Sequence, residues 1–246
     1  MKCLCILLLL LVNLQHGSCA FIGFPPSFHN PGQSFSPFLL WNTDVTSFRY
    51  QQVYQASGFA GADSGEFLIN ELIFFPSGTS PNGSVVLPNI RINLSTTSRI
   101  PDGLSTVLAD NVGPNDTVVY SGTLNFFQTD WGIYRIHLQT PFVYDSKSGN
   151  LLIDVRNFQP VPIPPGGVRA YNSTEITLGD SISAAFASDV NALTGGTSTS
   201  GLETVFDVTI IPEPATRALL VLGGLVYALA TRKKPRISRP NVFPEG

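Results

Sequence analysis

The sequence predicts an all-β protein, a jelly-roll-like two-sheet β-sandwich with an N-terminal signal peptide ahead of it and a single transmembrane helix behind it. Three observations carry this. Apolar residues alternate with polar ones at period two in several separate runs. Clusters of Pro, Gly, Asn and Asp punctuate those runs. Between the two ends, only residues 183–193 hint at helical spacing.

Taken in chain order, residues 1–20 have the form of a signal peptide. Lys2 supplies the basic start, Leu4 and the run 6–12 supply an apolar stretch too short to span a bilayer, and Ser18-Cys19-Ala20 supplies a small-residue cleavage site, with cutting expected after Ala20. His16 stands where a lipoprotein signal usually has Leu, so no lipid is expected on Cys19. Residues 21–37, rich in Phe, Gly, Pro and Ser, read as a loosely packed entry loop.

Strands follow. Ile90, Ile92 and Leu94 alternate with Arg91 and Asn93. Ile136 and Leu138 alternate with Arg135, His137 and Gln139, and Phe206, Val208 and Ile210 with Val205, Asp207 and Thr209. Each is a strand with one wet face. Residues 45–54, 66–75, 117–127, 151–158, 168–178 and 181–187 complete the set. The turns between them include Pro81-Asn82-Gly83, Pro101-Asp102-Gly103, Gly113-Pro114-Asn115-Asp116 and Ser148-Gly149-Asn150. A proline loop is expected over 159–167 and a polar turn over 194–201. So many strands, each with one apolar face, call for two sheets packed together. The body spans 21–211.

Composition narrows the function. Cys3, Cys5 and Cys19 all fall within the expected signal peptide, so the mature chain would hold no thiol nucleophile, CxxC pair or thiolate metal site. From residue 21 to 211 there are seven Arg and Lys against fifteen Asp and Glu, a balance of −8, whereas residues 212–246 carry six against two, or +4. An acidic body with Lys147 as its one lysine is a poor partner for nucleic acid, which needs clustered Lys and Arg.

The most specific stretch is the C-terminal one. Pro212, Glu213, Pro214, Ala215 and Thr216 precede the apolar run 218–230, and Arg232, Lys233, Lys234, Arg236 and Arg239 follow within 232–239. A helix over 215–231 would be apolar all round, stable only in lipid or a deep core. It would reach about 25 Å against a hydrocarbon thickness of about 30 Å, a short span. The basic cluster would stop it on the cytoplasmic side and leave everything before Pro212 outside. Arg217, at the outer edge, can snorkel to the headgroups.

That order of Pro-Glu-Pro motif, short apolar helix and basic cluster resembles the PEP-CTERM sorting signal of Gram-negative bacteria. The resemblance covers 212–246 and implies handling by an exosortase. This membrane protease would remove the tail after transient anchoring in the inner membrane, sending the body to the cell surface or extracellular matrix, with extracellular polysaccharide as a further partner. Residues 87–122, with Leu94-Ser95-Thr96-Thr97 and 116–122, resemble ectodomains that recur in such sorted proteins, which implies no assigned activity.

Candidate chemistry in the body is sparse. His29 and His137 are the histidines past the signal peptide, and the sequence has no Gly-x-Ser-x-Gly elbow, His-Glu-x-x-His or phosphate loop. Glu66, Glu71, Glu175 and Glu203 are the carboxylates from which a glycosidase pair would be drawn. Trp41 and Trp131 are the rings able to stack on a sugar, and a core-capping role is the competing reading. Asp102, Asp110, Asp116 and Asp130 sit in Gly- and Asn-rich loops, where Ca²⁺ binding competes with turn formation. No catalytic residue, cofactor or metal is expected. The leading expectation is a non-enzymatic exported surface or matrix protein. The alternatives are a carbohydrate- or calcium-binding surface module and a tail-anchored glycan hydrolase.

Overall fold

A computed structural model describes residues 19–24, 32–33, 39–40, 45–59, 66–75, 84–127, 133–162, 172–173 and 179–211. The residues before Cys19, His29, Trp41, Asp130, Trp131, Glu175 and the whole stretch from Pro212 lie outside them. The chain divides into two units, Met1–Ile211 and Pro212–Gly246.

The described strands are β1 (Cys19–Phe24), β2 (Gly32–Gln33), β3 (Leu39–Leu40), β4 (Phe48–Tyr54), β5 (Glu66–Phe74), β6 (Ser84–Thr97) and β7 (Thr117–Phe127). They continue with β8 (Tyr134–Asp145), β9 (Asn150–Asn157), β10 (Val161–Pro162), β11 (Asn172–Ser173), β12 (Ile182–Ala187), β13 (Gly196–Ser198) and β14 (Thr204–Ile210). Two 3-10 turns, Ala56–Phe59 and Leu108–Asn111, join them. Among the described residues no helix is long and apolar enough to cross a membrane.

Two antiparallel sheets result, one ordered β1-β14-β5-β8 and the other β13-β12-β4-β9-β6-β7. Their facing sides share one core. Phe67, Ile69, Leu72 and Phe74 of β5 and Phe206 and Val208 of β14 come from the first sheet. Tyr50 and Tyr54 of β4 and Ile90, Ile92 and Leu94 of β6 come from the second. The alternation in the sequence is the cause: every second residue points into the core, and its neighbours face out. A register shift at Asn70 lets β5 keep Ile69 and Leu72 on the inner side although they are three apart.

The middle of the core is aromatic. Phe24 meets Tyr54 edge-on at 5.3 Å and Phe206 at 6.0 Å, Tyr54 meets Phe206 at 4.9 Å, and Phe59 meets Tyr144 at 4.9 Å. Edge-to-face pairs of this kind contribute about 0.5–1.5 kcal/mol each beyond area burial. Burial pushes the phenols of Tyr50, Tyr54 and Tyr144 well up and that of Tyr134 to about 12. Gln52 is a polar residue inside the core. It accepts from the Tyr50 hydroxyl and the Leu202 amide and donates to the Leu202 carbonyl, so its burial leaves no amide group idle.

Several sequence expectations are corrected. Phe21, expected in an entry loop, belongs to β1, which ends on the fully buried Phe24. The run is too short for its alternation to stand out beside the leader. Residues 183–193 contain no helix: Ile182–Ala187 is a strand between β4 and β13, and 188–193 turn. Ala184, Ala185 and Ala187 favour a helix in isolation, but pairing on both sides decides, and their small side chains suit crowded faces. The polar turn over 194–201 contains the edge strand β13 and a bridge from Thr194 to Val107. In the proline loop, Val161 and Pro162 pair in parallel with Leu39 and Leu40. Of the strand expected over 168–178, β11 is the described part.

Residues 98–116 cross the outer face of the six-stranded sheet between β6 and β7. Leu108 closes over Ala185 and Ala187, with Leu104 and Ala192 at the side. The segment starts with a turn in which the Gly103 amide bonds to the Ile100 carbonyl, Pro101 sets the first corner and Asp102 takes a positive φ of 62°. At its far end Gly113 passes so near β6 that a Cβ there would lie 1.7 Å from the Thr96 carbonyl oxygen.

Candidate functional site

The outward face of the six-stranded sheet carries the densest polar arrangement in the described body. Cross-strand pairing aligns Ala187, Arg49, Arg156, Arg91 and Ser121 in one row. Ala185, Gln51, Asp154 and Asn93 form the next. The alternation that sends Phe48, Tyr50, Ile92 and Val155 into the core turns these residues outward. Three of the body's seven basic residues therefore stand side by side.

Asp154 organises the row. Its carboxylate, 3 % exposed, accepts from Nε of Arg49 at 3.1 and 3.2 Å, from Nη2 of Arg49 and from Nε2 of Gln51 at 3.2 Å. The Arg156 Nη2 lies 3.6 Å away. Gln51 continues outward by donating to the Leu108 carbonyl at 3.0 Å, and its own oxygen accepts from Asn111 at 3.0 Å. Asn111 donates to the Ser105 carbonyl and accepts from the Ser105 amide within the crossing segment, and the two Gln51 bonds tie that segment to the sheet. Arg91 Nε donates to Asn93, which in turn donates to Asp116 at 2.8 Å.

A second group lies on the outer face of the four-stranded sheet. Glu71, 3 % exposed, accepts from Nη1 of Arg135 at 2.8 Å, and its other oxygen lies 3.1 Å from Nδ1 of the exposed His137. Register places Asp207 on β14 and His137 on β8 on either side of Glu71. A carboxylate so enclosed, with a guanidinium on one oxygen, is arranged to hold neighbouring strands together.

An open cleft of about 440 Å³ lies between the crossing segment and the β8–β9 turn, with Thr96, Thr97, Asp110, Asn115, Asp145 and Ser148 on its walls. Its polar groups largely serve each other. Asn115 bonds Thr96 through both its oxygen and its nitrogen. The Ser148 hydroxyl and then the Lys147 amide hold the Asp145 carboxyl below the usual carboxylate range.

The sequence candidates are distributed as follows. Glu66 is exposed at the start of β5, Glu71 is the buried ion-paired residue above, and Glu203 is buried beside β14. Register sets Glu66 opposite Asp145 and Glu71 opposite Asp207, pairings not visible in the sequence. Asp102 accepts from the Gly179 amide, Asp110 faces Arg99 at 3.7 Å and Asp116 accepts from Asn93. These are three separate turn and network roles, and among the described residues no three His, Cys, Asp or Glu gather as a metal site. His137 is solvated, as expected of a wet strand face. Ser18, Trp41, Trp131, residues 212–216 and the basic cluster 232–239 lie outside the described residues. Ala20 is described within β1, paired with Val208. The arginine row was not singled out from the sequence. Its signal was an arginine at an outward position in each of three period-two strands, but the register that aligns them is a property of the sheet.

Compared with known proteins, the chain matches no family model, and no curated protein is significantly similar to it.

Proposed function

We propose that this chain is a non-enzymatic exported protein, delivered to the cell surface or extracellular matrix by a PEP-CTERM-type sorting tail that an exosortase-type protease removes. The observation that carries this is the order of elements after Ile211: Pro212-Glu213-Pro214-Ala215-Thr216, an apolar run, then Arg232, Lys233, Lys234 and Arg236. Each part has a physical role. The prolines keep the motif extended and cuttable, the run enters lipid, and the cations stop it at the inner face. The leader ahead of Phe21 starts export, and the tail gives a transient inner-membrane anchor.

The body suits such handling. Ile211 still donates its amide to the Glu66 carbonyl at 3.2 Å, and the motif begins at the next residue, so cutting there leaves every strand of the sheet intact. Antiparallel pairing of Cys19 with Thr209 sets the start of β1 beside the end of β14, so the described body begins and ends at the same end of this sheet. Cleavage after Ala20 retains the pairs from Phe21 with Asp207 to Phe24 with Thr204, and with them the central core aromatic. A body held at one end can fold while both ends are still in the membrane.

The test is delivery of a Pro212→Ala/Glu213→Gln/Pro214→Ala variant in the native host. The proposal expects the variant to stay membrane-bound at full length while the parent reaches the surface. Equal delivery of both would overturn it.

A further inference from the structure

We propose that Arg91 and Arg156 form a binding site for an oxyanion, the carboxylate or sulfate group of an acidic glycan. Arg156 stands between Arg49 and Arg91 in the register of three adjacent strands, all on the face away from the core. Strands lie about 4.8 Å apart, and like charges directly opposite one another destabilise a sheet. One acid answers them, and it is spent unevenly. Asp154 is gripped by Arg49 and Gln51, which leaves Arg156 at 3.6 Å from it.

Two donors are left idle as a result. The Nε of Arg156 is buried and has no hydrogen-bond partner, a condition that destabilises the fold. Arg91 uses Nε on Asn93, and among the described residues nothing accepts from its terminal nitrogens. Both side chains remain partly exposed, so the row is open to solvent on this side. An oxyanion seated between them would accept from the terminal nitrogens of Arg91 and from the solvent-facing part of the Arg156 guanidinium and relieve the repulsion between the two cations, and guanidinium forks match planar and tetrahedral oxyanions alike.

The carrier follows from the surroundings. Phe158 follows two residues beyond Arg156, just past the end of β9, and is 38 % exposed, an apolar ring available to the face of a sugar bearing the acid. The net charge of −8 over the body as a whole repels densely charged polyphosphates, while a glycan with well-spaced acids needs no more than a local cationic pair. The choice of a glycan rests on the proposed export, but the oxyanion site itself does not.

The experiment is affinity electrophoresis and calorimetry of the full chain in mild detergent with hyaluronate, which has a carboxylate on alternate sugars, κ-carrageenan, which has a sulfate on alternate sugars, and neutral dextran. Retardation by one or both charged polymers and none by dextran is expected, the responding polymer naming the acid group. Arg91→Gln should weaken binding about tenfold and Arg91→Gln/Arg156→Gln should abolish it, while Arg99→Gln on the crossing segment leaves it unchanged. Among the described residues the Arg91 side chain makes a single hydrogen bond, so Arg91→Gln keeps the test valid if the double variant unfolds. Failure of both charged polymers to bind, undiminished binding by Arg91→Gln, or equal loss with Arg99→Gln overturns the site. Binding is read in vitro, so its failure is separable from failure of tail processing.

Discussion

Replacing Asp154 by alanine tests how the outer face of the six-stranded sheet is held. The carboxylate is 3 % exposed and its main partner, Arg49, has an 8 % exposed side chain, so removing one leaves the other charged, buried and short of acceptors. Breaking a buried pair from one side costs about 3–5 kcal/mol. For a domain of this size each kcal/mol lowers Tm by about 2–4 °C, so Asp154→Ala should melt about 6–20 °C below the parent. Gln51 also loses an acceptor, and with it one tie to the Leu108 carbonyl and to Asn111 is loosened. Amide exchange should therefore rise at residues 104–112. Urea titration of Arg49→Met, Asp154→Leu and Arg49→Met/Asp154→Leu completes a double-mutant cycle. The double change removes both charges and should recover most of the loss, because a buried pair is worth little more than a well-packed apolar one. A loss below about 1 kcal/mol for Asp154→Ala, or no recovery in the double variant, would show that Arg49 reaches water and that the network does not tie down the crossing segment.

Other outcomes follow from the same geometry. Phe24→Ala, at the centre of the aromatic cluster, should cost about 3–5 kcal/mol by urea titration, whereas Phe21→Ala, 63 % exposed and three residues earlier on the same strand, should cost under about 0.5 kcal/mol. Gly113→Ala must move its new methyl off the Thr96 carbonyl and should destabilise by about 1–3 kcal/mol, read as a Tm shift. Tyr50, Tyr54, Tyr134 and Tyr144 have phenol pKa values raised in the fold above the ordinary 10.0, so the folded state binds their protons more tightly. Their stability contribution is complete below that pH and falls as pH rises through it. Tyrosinate absorbance should therefore appear together with cooperative unfolding. Asp145 shows the opposite sign: its carboxyl is held below 3.8, its contribution is present above that pH and fades below it, and Asp145→Asn should flatten the acid limb of the stability curve.

Much of the sheet architecture was written in local pattern. Residues 117–127 form a strand end to end as read, and 66–75, 151–158 and 181–187 differ from the observed strands by a residue at their ends, because period-two burial is a property of each run alone. What lay beyond the pattern depends on partners. Phe21 to Phe24 form a strand because β14 offers a free edge, and Ala184 to Ala187 do so because β4 and β13 flank them. The arginine row likewise exists only once register brings Arg49, Arg156 and Arg91 abreast. Glu71 was legible as an acid on a strand, but its burial came from Arg135 and its neighbours on the sheet. The proposed sorting motif is of another kind: its information is in order and composition alone, so it is read from the sequence without help from the fold.

The most direct test of delivery is mass spectrometry of the C-terminus of the protein recovered outside the membrane, from hosts with and without the sorting protease. Loss of everything beyond a cut at or near residues 212–216, only when the protease is present, is the expected result. Recovery of extracellular protein whose C-terminus extends beyond Arg239 would contradict it.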